Sequence, residues 1–153
     1  MKKRNLLLLT SLLSLGIPAV LHAAGKAVSL PVEQADGRQA LAALRMLFSA
    51  HATGNRLQVA ALVELQMLGY SRVMDSLPAS AFSQQQSRVA LSNIRTQASE
   101  DSVTIQTHWE KRFVAAATRT PVLKTGDCTF VMRRSDGTWK LSAFGGDNPF
   151  AAN

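Results

Sequence analysis

The stretch Gly126-Asp127-Cys128-Thr129-Phe130-Val131-Met132-Arg133-Arg134-Ser135-Asp136-Gly137-Thr138-Trp139-Lys140-Leu141-Ser142-Ala143-Phe144 reads as two strands folded back on each other. Asp136-Gly137 is a favoured pair for a two-residue type I′ turn, which needs positive φ at both positions. Folding there sets Arg134 opposite Trp139, Met132 opposite Leu141 and Phe130 opposite Ala143. One face then carries Cys128, Phe130, Met132, Trp139, Leu141 and Ala143, and Arg133 and Lys140 point the other way. A slip of one residue would set Met132 against Lys140, so the pattern selects this register. The like charges of Arg133 and Lys140 face each other at a small cost.

Upstream, Val103, Ile105, Thr107, Trp109 and Phe113 alternate with Thr104, Gln106, His108, Glu110 and Arg112. That period of two predicts a long half-buried strand, broken on its apolar side only by Lys111. A further strand is expected over Arg88–Gln97, with Asn93-Ile94 disturbing the alternation at a bulge. Before Arg88 the period is helical. Leu41, Leu44, Leu47, Phe48 and His51 form one stripe, and Asp36 with Gln39 resembles a capping box. Gly54 ends that helix. Asn55 caps a second, about Arg56 to Leu68, apolar nearly all round and so expected to be buried on most sides. Ser71 caps a third through Val73, Met74 and Leu77, interrupted at Pro78, and the polar run Ser83–Ser87 is expected to be exposed.

At 153 residues the chain has room for one domain. Lys2, Lys3, Arg4, the apolar run Leu6–Leu15, Pro18 and the small residues Ala23, Ala24 and Gly25 have the build of a secretory signal over 1–24. The alternative is an uncleaved anchor over Asn5–Ala24, nearly long enough to span a membrane. Residues 25–36 show no period and are expected to be an extended lead-in. Without Lys2, Lys3 and Arg4 the 17 basic residues fall to 14 against 10 acidic ones, a formal charge of +4. The remaining basic residues form no run longer than two, which argues against a nucleic-acid partner. Cys128 is the only cysteine, so no internal disulfide is possible and a buried apolar thiol is expected.

Helices first and a run of antiparallel strands afterwards is an α+β layout, with the helices on one face of a curved sheet. The Gly54-Asn55 break, the third helix near Gly69-Tyr70, and the closing Gly-Asp-Cys-Thr-Phe…Asp-Gly-Thr-Trp-Lys-Leu stretch resemble the NTF2-like superfamily over residues 37–150, in particular small exported bacterial envelope domains. The resemblance implies a cone, with about three N-terminal helices packed on a curved antiparallel sheet of about four strands. It also implies frequent dimerisation through the outer sheet face. Its members include isomerases, dehydratases and domains without catalysis, so the fold alone does not set the function.

Two sets of residues are candidates for a site. His108 and Glu110 lie two apart on one side of a strand, about 6.5–7 Å by strand rise, a spacing that suits acid/base work. Tyr70 and Asp75 are the Tyr and nearest acid of the helical layer. The ketosteroid isomerases that this family includes place a Tyr on the first helix and acids inside the cone. Here the first helix offers Phe48, and the apolar face of the hairpin carries no carboxylate. Tyr70, Trp109, Phe130 and Trp139 are candidates to line an apolar cavity, or alternatively to fill the core. Arg134 is placed to stack on Trp139. His51 on the helix stripe reads as a core or rim residue. No His/Cys/Asp/Glu spacing suggests a metal, and no cofactor is expected. The sequence therefore predicts a non-catalytic periplasmic domain, free of the membrane after signal cleavage. It would be a homodimer that binds an envelope protein or a small apolar ligand. The alternatives are a cone-cavity lyase or isomerase, and an accessory subunit of an envelope secretion or assembly system.

Overall fold

The computed structural model describes residues 32–152. The expected signal at 1–24 and most of the extended lead-in, 25–31, lie outside the described residues. Three helices, α1 (Val32–Ala52), α2 (Arg56–Leu62) and α3 (Tyr70–Ser83), precede four strands: β1 (Gln84–Ala98), β2 (Ser102–Ala115), β3 (Pro121–Ser135) and β4 (Thr138–Gly146). The strands form one antiparallel sheet in the order β1-β2-β3-β4. No helix among the described residues is long and apolar enough to cross a membrane.

The hairpin forms where its turn residues require. Asp136 and Gly137 have φ of 51° and 74°, and Ser135 pairs with Thr138, Arg134 with Trp139, Arg133 with Lys140 and Met132 with Leu141. Beyond that the expected register fails. A bulge at Ser142 sets Ala143 opposite Val131 and Phe144 opposite Phe130, so Ala143 is exposed and Phe144 turns toward the core. The Ser142 hydroxyl donates to the Val131 carbonyl at 3.0 Å, occupying the acceptor beside the extra residue. Packing an aromatic ring in place of a methyl group accounts for the gain that offsets the irregularity.

Two glycines differ in what a methyl group would meet. At Gly137 an added Cβ has nothing within 4 Å, so Gly137→Ala is opposed by the left-handed backbone alone and should cost about 1–2 kcal/mol. At Gly146, with φ of 101°, the same atom would lie 2.5 Å from the Asp127 carbonyl oxygen. Gly146→Ala is therefore expected to be the more destabilising of the two, and urea denaturation of both variants measures the difference. Equal losses would contradict this account.

On β2, Val103, Ile105, Trp109 and Phe113 are buried on the inner face, as their period demands. In β1 the ladder shifts between Ser92 and Arg95, with Asn93 at φ 51°, which is the expected bulge. A second shift between Gln85 and Arg88 was not legible in the sequence. Of the expected α1 stripe, Leu44, Leu47, Phe48 and His51 are buried and Leu41 is partly so, with Ala40 buried beside them. A fully buried Leu or Phe contributes about 1.5–3 kcal/mol relative to an exposed one.

Several helical expectations need correction. α1 begins at Val32, so residues 32–36 are helical rather than extended. Glu33, Gln34 and Ala35 are strong helix formers, and the Asp36 carboxylate takes the Arg134 guanidinium rather than capping the helix. α2 ends at Leu62, not Leu68, because Val63 leaves the helix to bridge Leu141 and the Glu64 N–H donates to the Leu141 carbonyl. Leu65 and Leu68 are exposed as a result. Nor is α2 buried on most sides: only Val59 and Leu62 are buried in it, and Leu57 faces solvent, because this short helix packs on the domain by one face. α3 runs on through Pro78 to Ser83, and Gly69 rather than Ser71 stands at its cap. The polar run Ser83–Ser87 carries one buried member, Gln84, where β1 begins.

Candidate functional site

The inner face of the sheet and the helices over it enclose aromatic rings. Phe48 meets Phe130 edge-on at 5.7 Å between centroids and stacks on Phe150 at 5.3 Å. Phe150 also contacts Phe144 at 5.5 Å and the His51 ring at 5.2 Å. The chain after β4 thus turns back, and Phe150, 1% exposed, closes one end of the interior.

Two titratable groups share that end. The His51 ring Nε2 lies 2.9 Å from the Ser76 hydroxyl. That hydroxyl donates its one proton to the Val73 carbonyl at 2.7 Å, so Nε2–H is the donor to Ser76. Burial first, and then the charge of Lys111, pushes the His51 pKa down to about 4. Lys111, only 2% exposed, sits at the inward position that broke the apolar alternation of its strand. Its Nζ donates to the carbonyls of Pro149 and Ala151, each at 3.1 Å. Burial first, and then Lys124, lowers its pKa to about 8. Gln84 Nε2 donates to the carbonyls of Ala151 and Ala152, and Trp109 Nε1 to that of Asp147 at 3.0 Å. Cys128 is buried, as expected, and burial is the main cause raising its pKa to about 11.

The four residues expected to line a cavity are not arranged alike. Trp109, Phe130 and Trp139 are buried in the core cluster, against which half-buried Tyr70 packs. Trp139 donates to Gln39 Oε1 at 3.4 Å, and the Arg134 guanidinium stands over it at 4.7 Å. Tyr70 also borders an open groove of about 830 Å³ with Met67, Arg72, Phe144 and Asn148.

On the outer face, His108 Nδ1 lies 3.0 Å from Asp127 Oδ1. Glu110 is occupied elsewhere, accepting from Arg112 Nε at 2.9 Å. His108 and Glu110 share a strand side but no hydrogen bond among the described residues. Asp75 is exposed on α3, and no hydrogen bond among the described residues joins it to Tyr70. The His108–Asp127 pair borders a shallow groove of about 800 Å³ with Asn93, Arg95, Gln106 and Thr129. Asp127 is 84% exposed, so water competes for both partners and the pair is weak. Among the described residues no group of three His, Cys, Asp or Glu side chains could hold a metal ion.

Sequence reasoning missed Lys111, Gln84 and Asp127 as parts of these arrangements. For Lys111 the signal was present, a charge at an inward position of a period-two strand. For Asp127 it required the pairing of β2 with β3, which sets His108 opposite it.

The fold has counterparts among solved structures. An NTF2-like superfamily protein from Salmonella enterica superposes with a TM-score of 0.65 at 9% identity, over 76% of this chain and 93% of that one. The fold is NTF2-like. A protein described as a candidate scytalone dehydratase from Novosphingobium aromaticivorans gives a TM-score of 0.66 at 13% identity, over 75% of this chain and 86% of its own. The association domain of C. elegans CaMKII gives 0.65 at 12% identity, over 76% and 98%. No family model matches the sequence, and no curated protein matches it significantly. At these identities the likeness is one of NTF2-like architecture, on which chemistry varies.

Proposed function

We propose that this chain is a non-catalytic NTF2-like binding domain, exported to the periplasm through a cleaved signal at 1–24, that holds a small apolar ligand or a protein partner. The observation that carries this reading is the state of the interior. Its rings pack on one another, and His51 and Lys111 are each bonded to internal partners. Neither faces a carboxylate there among the described residues. General acid–base chemistry needs a group within hydrogen-bond reach of a substrate proton, and among the described residues His51 and Lys111 are both already engaged inside.

The test is native mass spectrometry of protein exported with its own signal and purified gently. The expected result is a mass lacking the first 24 or so residues, with a small molecule or partner that denaturation releases. Retention of residues 1–24 would overturn the cleavage. A homodimer through the outer sheet face is part of the proposal, and the association-domain likeness supports self-association. A single-chain mass at micromolar concentration would remove it.

The alternative, a lyase or isomerase, has one observation in its favour: the His108–Asp127 contact at 3.0 Å, together with a dehydratase-like neighbour. His108→Ala and Asp75→Asn are expected to leave ligand retention and any measured turnover unchanged. Stability should change by less than about 0.5 kcal/mol, because both positions lie at the surface. A dehydratase activity abolished by His108→Ala would overturn the non-catalytic reading.

A further inference from the structure

Residues 149–152 are attached to the rest of the domain in an unusual way. The β3–β4 ladder ends where Cys128 pairs with Gly146. After it, the backbone N–H groups of Phe150 and Ala151 bond only locally, to the Asn148 side chain and carbonyl. The segment is held instead by two buried rings, Pro149 and Phe150, and by side chains that donate to its carbonyls: Lys111 to Pro149 and Ala151, and Gln84 to Ala151 and Ala152. No main-chain ladder would have to break for it to leave.

The receiving surface is better equipped than the segment requires. Lys111 has three N–H donors and uses two among the described residues, both on neutral carbonyl oxygens. It remains charged at neutral pH, inside the protein, and no carboxylate among the described residues pairs with it. Gln84 Oε1 and Ser80 Oγ are buried without a hydrogen-bond partner among the described residues; the Ser80 hydroxyl has a proton to donate to an anion, whereas Gln84 Oε1 is an acceptor and calls for a donor. Unsatisfied buried polar atoms are few in folded proteins, and each calls for an explanation. A buried ammonium gains most from an anionic acceptor. The Phe48, Phe144 and His51 rings around Phe150 provide the flat apolar slot that an aromatic ring fills.

We infer that residues 149–152 are an exchangeable, self-supplied plug in a pocket whose external ligand is a small aromatic carboxylate. Its ring would take the place of Phe150 and its carboxylate that of the two carbonyls on Lys111. The inference rests on the binding reading above and refines its small apolar ligand to one whose apolar ring carries a single carboxylate. The apparent affinity is set by the intrinsic affinity and by the fraction of molecules with the plug out, so weakening the latch must tighten ligand binding.

The experiment uses the full chain and 3-phenylpropionate as probe, followed by NMR. In the wild-type protein the amide signals of Phe150, Ala151 and Ala152 are expected to move saturably toward unstructured positions as the probe is added, and the Lys111 and His51 signals should shift with them. Gln84→Leu, which removes one latch, should bind several-fold more tightly. Lys111→Met should bind 3-phenylpropionate no better than the uncharged 3-phenylpropanol. If Gln84→Leu fails to fold, Phe150→Ala serves in its place with the same expected tightening. The inference is overturned if the plug signals stay in place up to millimolar probe, if shifts are confined to the outer sheet face, or if weakening the plug leaves affinity unchanged. Shifts on the outer face alone would retain the binding reading and remove only the plug. Turnover that depends on His108 would instead remove the binding reading.

Discussion

Phe130→Ala is expected to destabilise the domain by about 3–5 kcal/mol, a large part of the 5–15 kcal/mol that holds a typical domain folded. Phe130 is fully buried, sits opposite Ile105 on β2 and Phe144 on β4, and has Phe48 across it from α1. Truncation removes the ring from contact with three elements at once, and neighbours on both strands are fixed by the ladder and cannot close the space. Urea denaturation should show the midpoint falling with the slope unchanged, the sign of lost stability rather than altered compactness. Phe130→Leu should cost less, since much of the volume is kept. The same substitution separates two roles for this residue. A ring lining an open ligand cavity would be partly wet, and its removal would reduce ligand binding much more than stability. A loss below about 1.5 kcal/mol would place Phe130 at such a wall and refute its role in the core.

The elements read best from sequence are those set by local chemistry. Asp136-Gly137 specifies its turn because few pairs accept positive φ twice, and Val103 to Phe113 specifies its face because the period is unbroken for most of its length. Asn55 caps α2 by accepting the Gln58 N–H, as the spacing suggested. What could not be read depends on competition between distant parts of the chain. Leu62 to Leu68 has a good helical composition, but Val63 and Glu64 gain an edge of β4 by leaving the helix. At the bulge, Ala143 and Phe144 are both apolar, so the pattern is indifferent to which turns inward, and the larger ring prevails on packing. Asp36 is a fair cap by type, but Arg134, ninety-eight residues away, offers an ionic partner. The candidate site was harder still. Lys111 stood out only as a fault in an apolar stripe, and its partners are carbonyls, which carry no sequence signature.

Stability should fall by about 3 kcal/mol through His51 alone as pH is lowered from 6.5 to 4. The folded-state pKa is about 4 against 6.5 for a free ring, and each pKa unit corresponds to about 1.36 kcal/mol. Between those values the unfolded chain holds a proton that the folded one does not, so unfolding takes up a proton and acid favours it. Above pH 6.5 the term vanishes, and below 4 it is constant. His51→Leu removes the group, so the difference in unfolding free energy between variant and wild type, measured by urea titration at pH 7 and pH 4, isolates it from the carboxylates. Parallel pH profiles for the two proteins would refute a buried neutral His51. The alkaline side has a different outcome. Lys111, depressed to about 8 from 10.5, adds stability as pH rises through that interval. Cys128, raised to about 11 from 9.0, removes stability as pH rises from 9. The two oppose each other above pH 9, so the gain from Lys111 should be visible only between about pH 8 and 9. Lys111→Met should abolish that rise and leave the acid limb to become shallower, because His51 then loses the neighbouring charge that holds its pKa down.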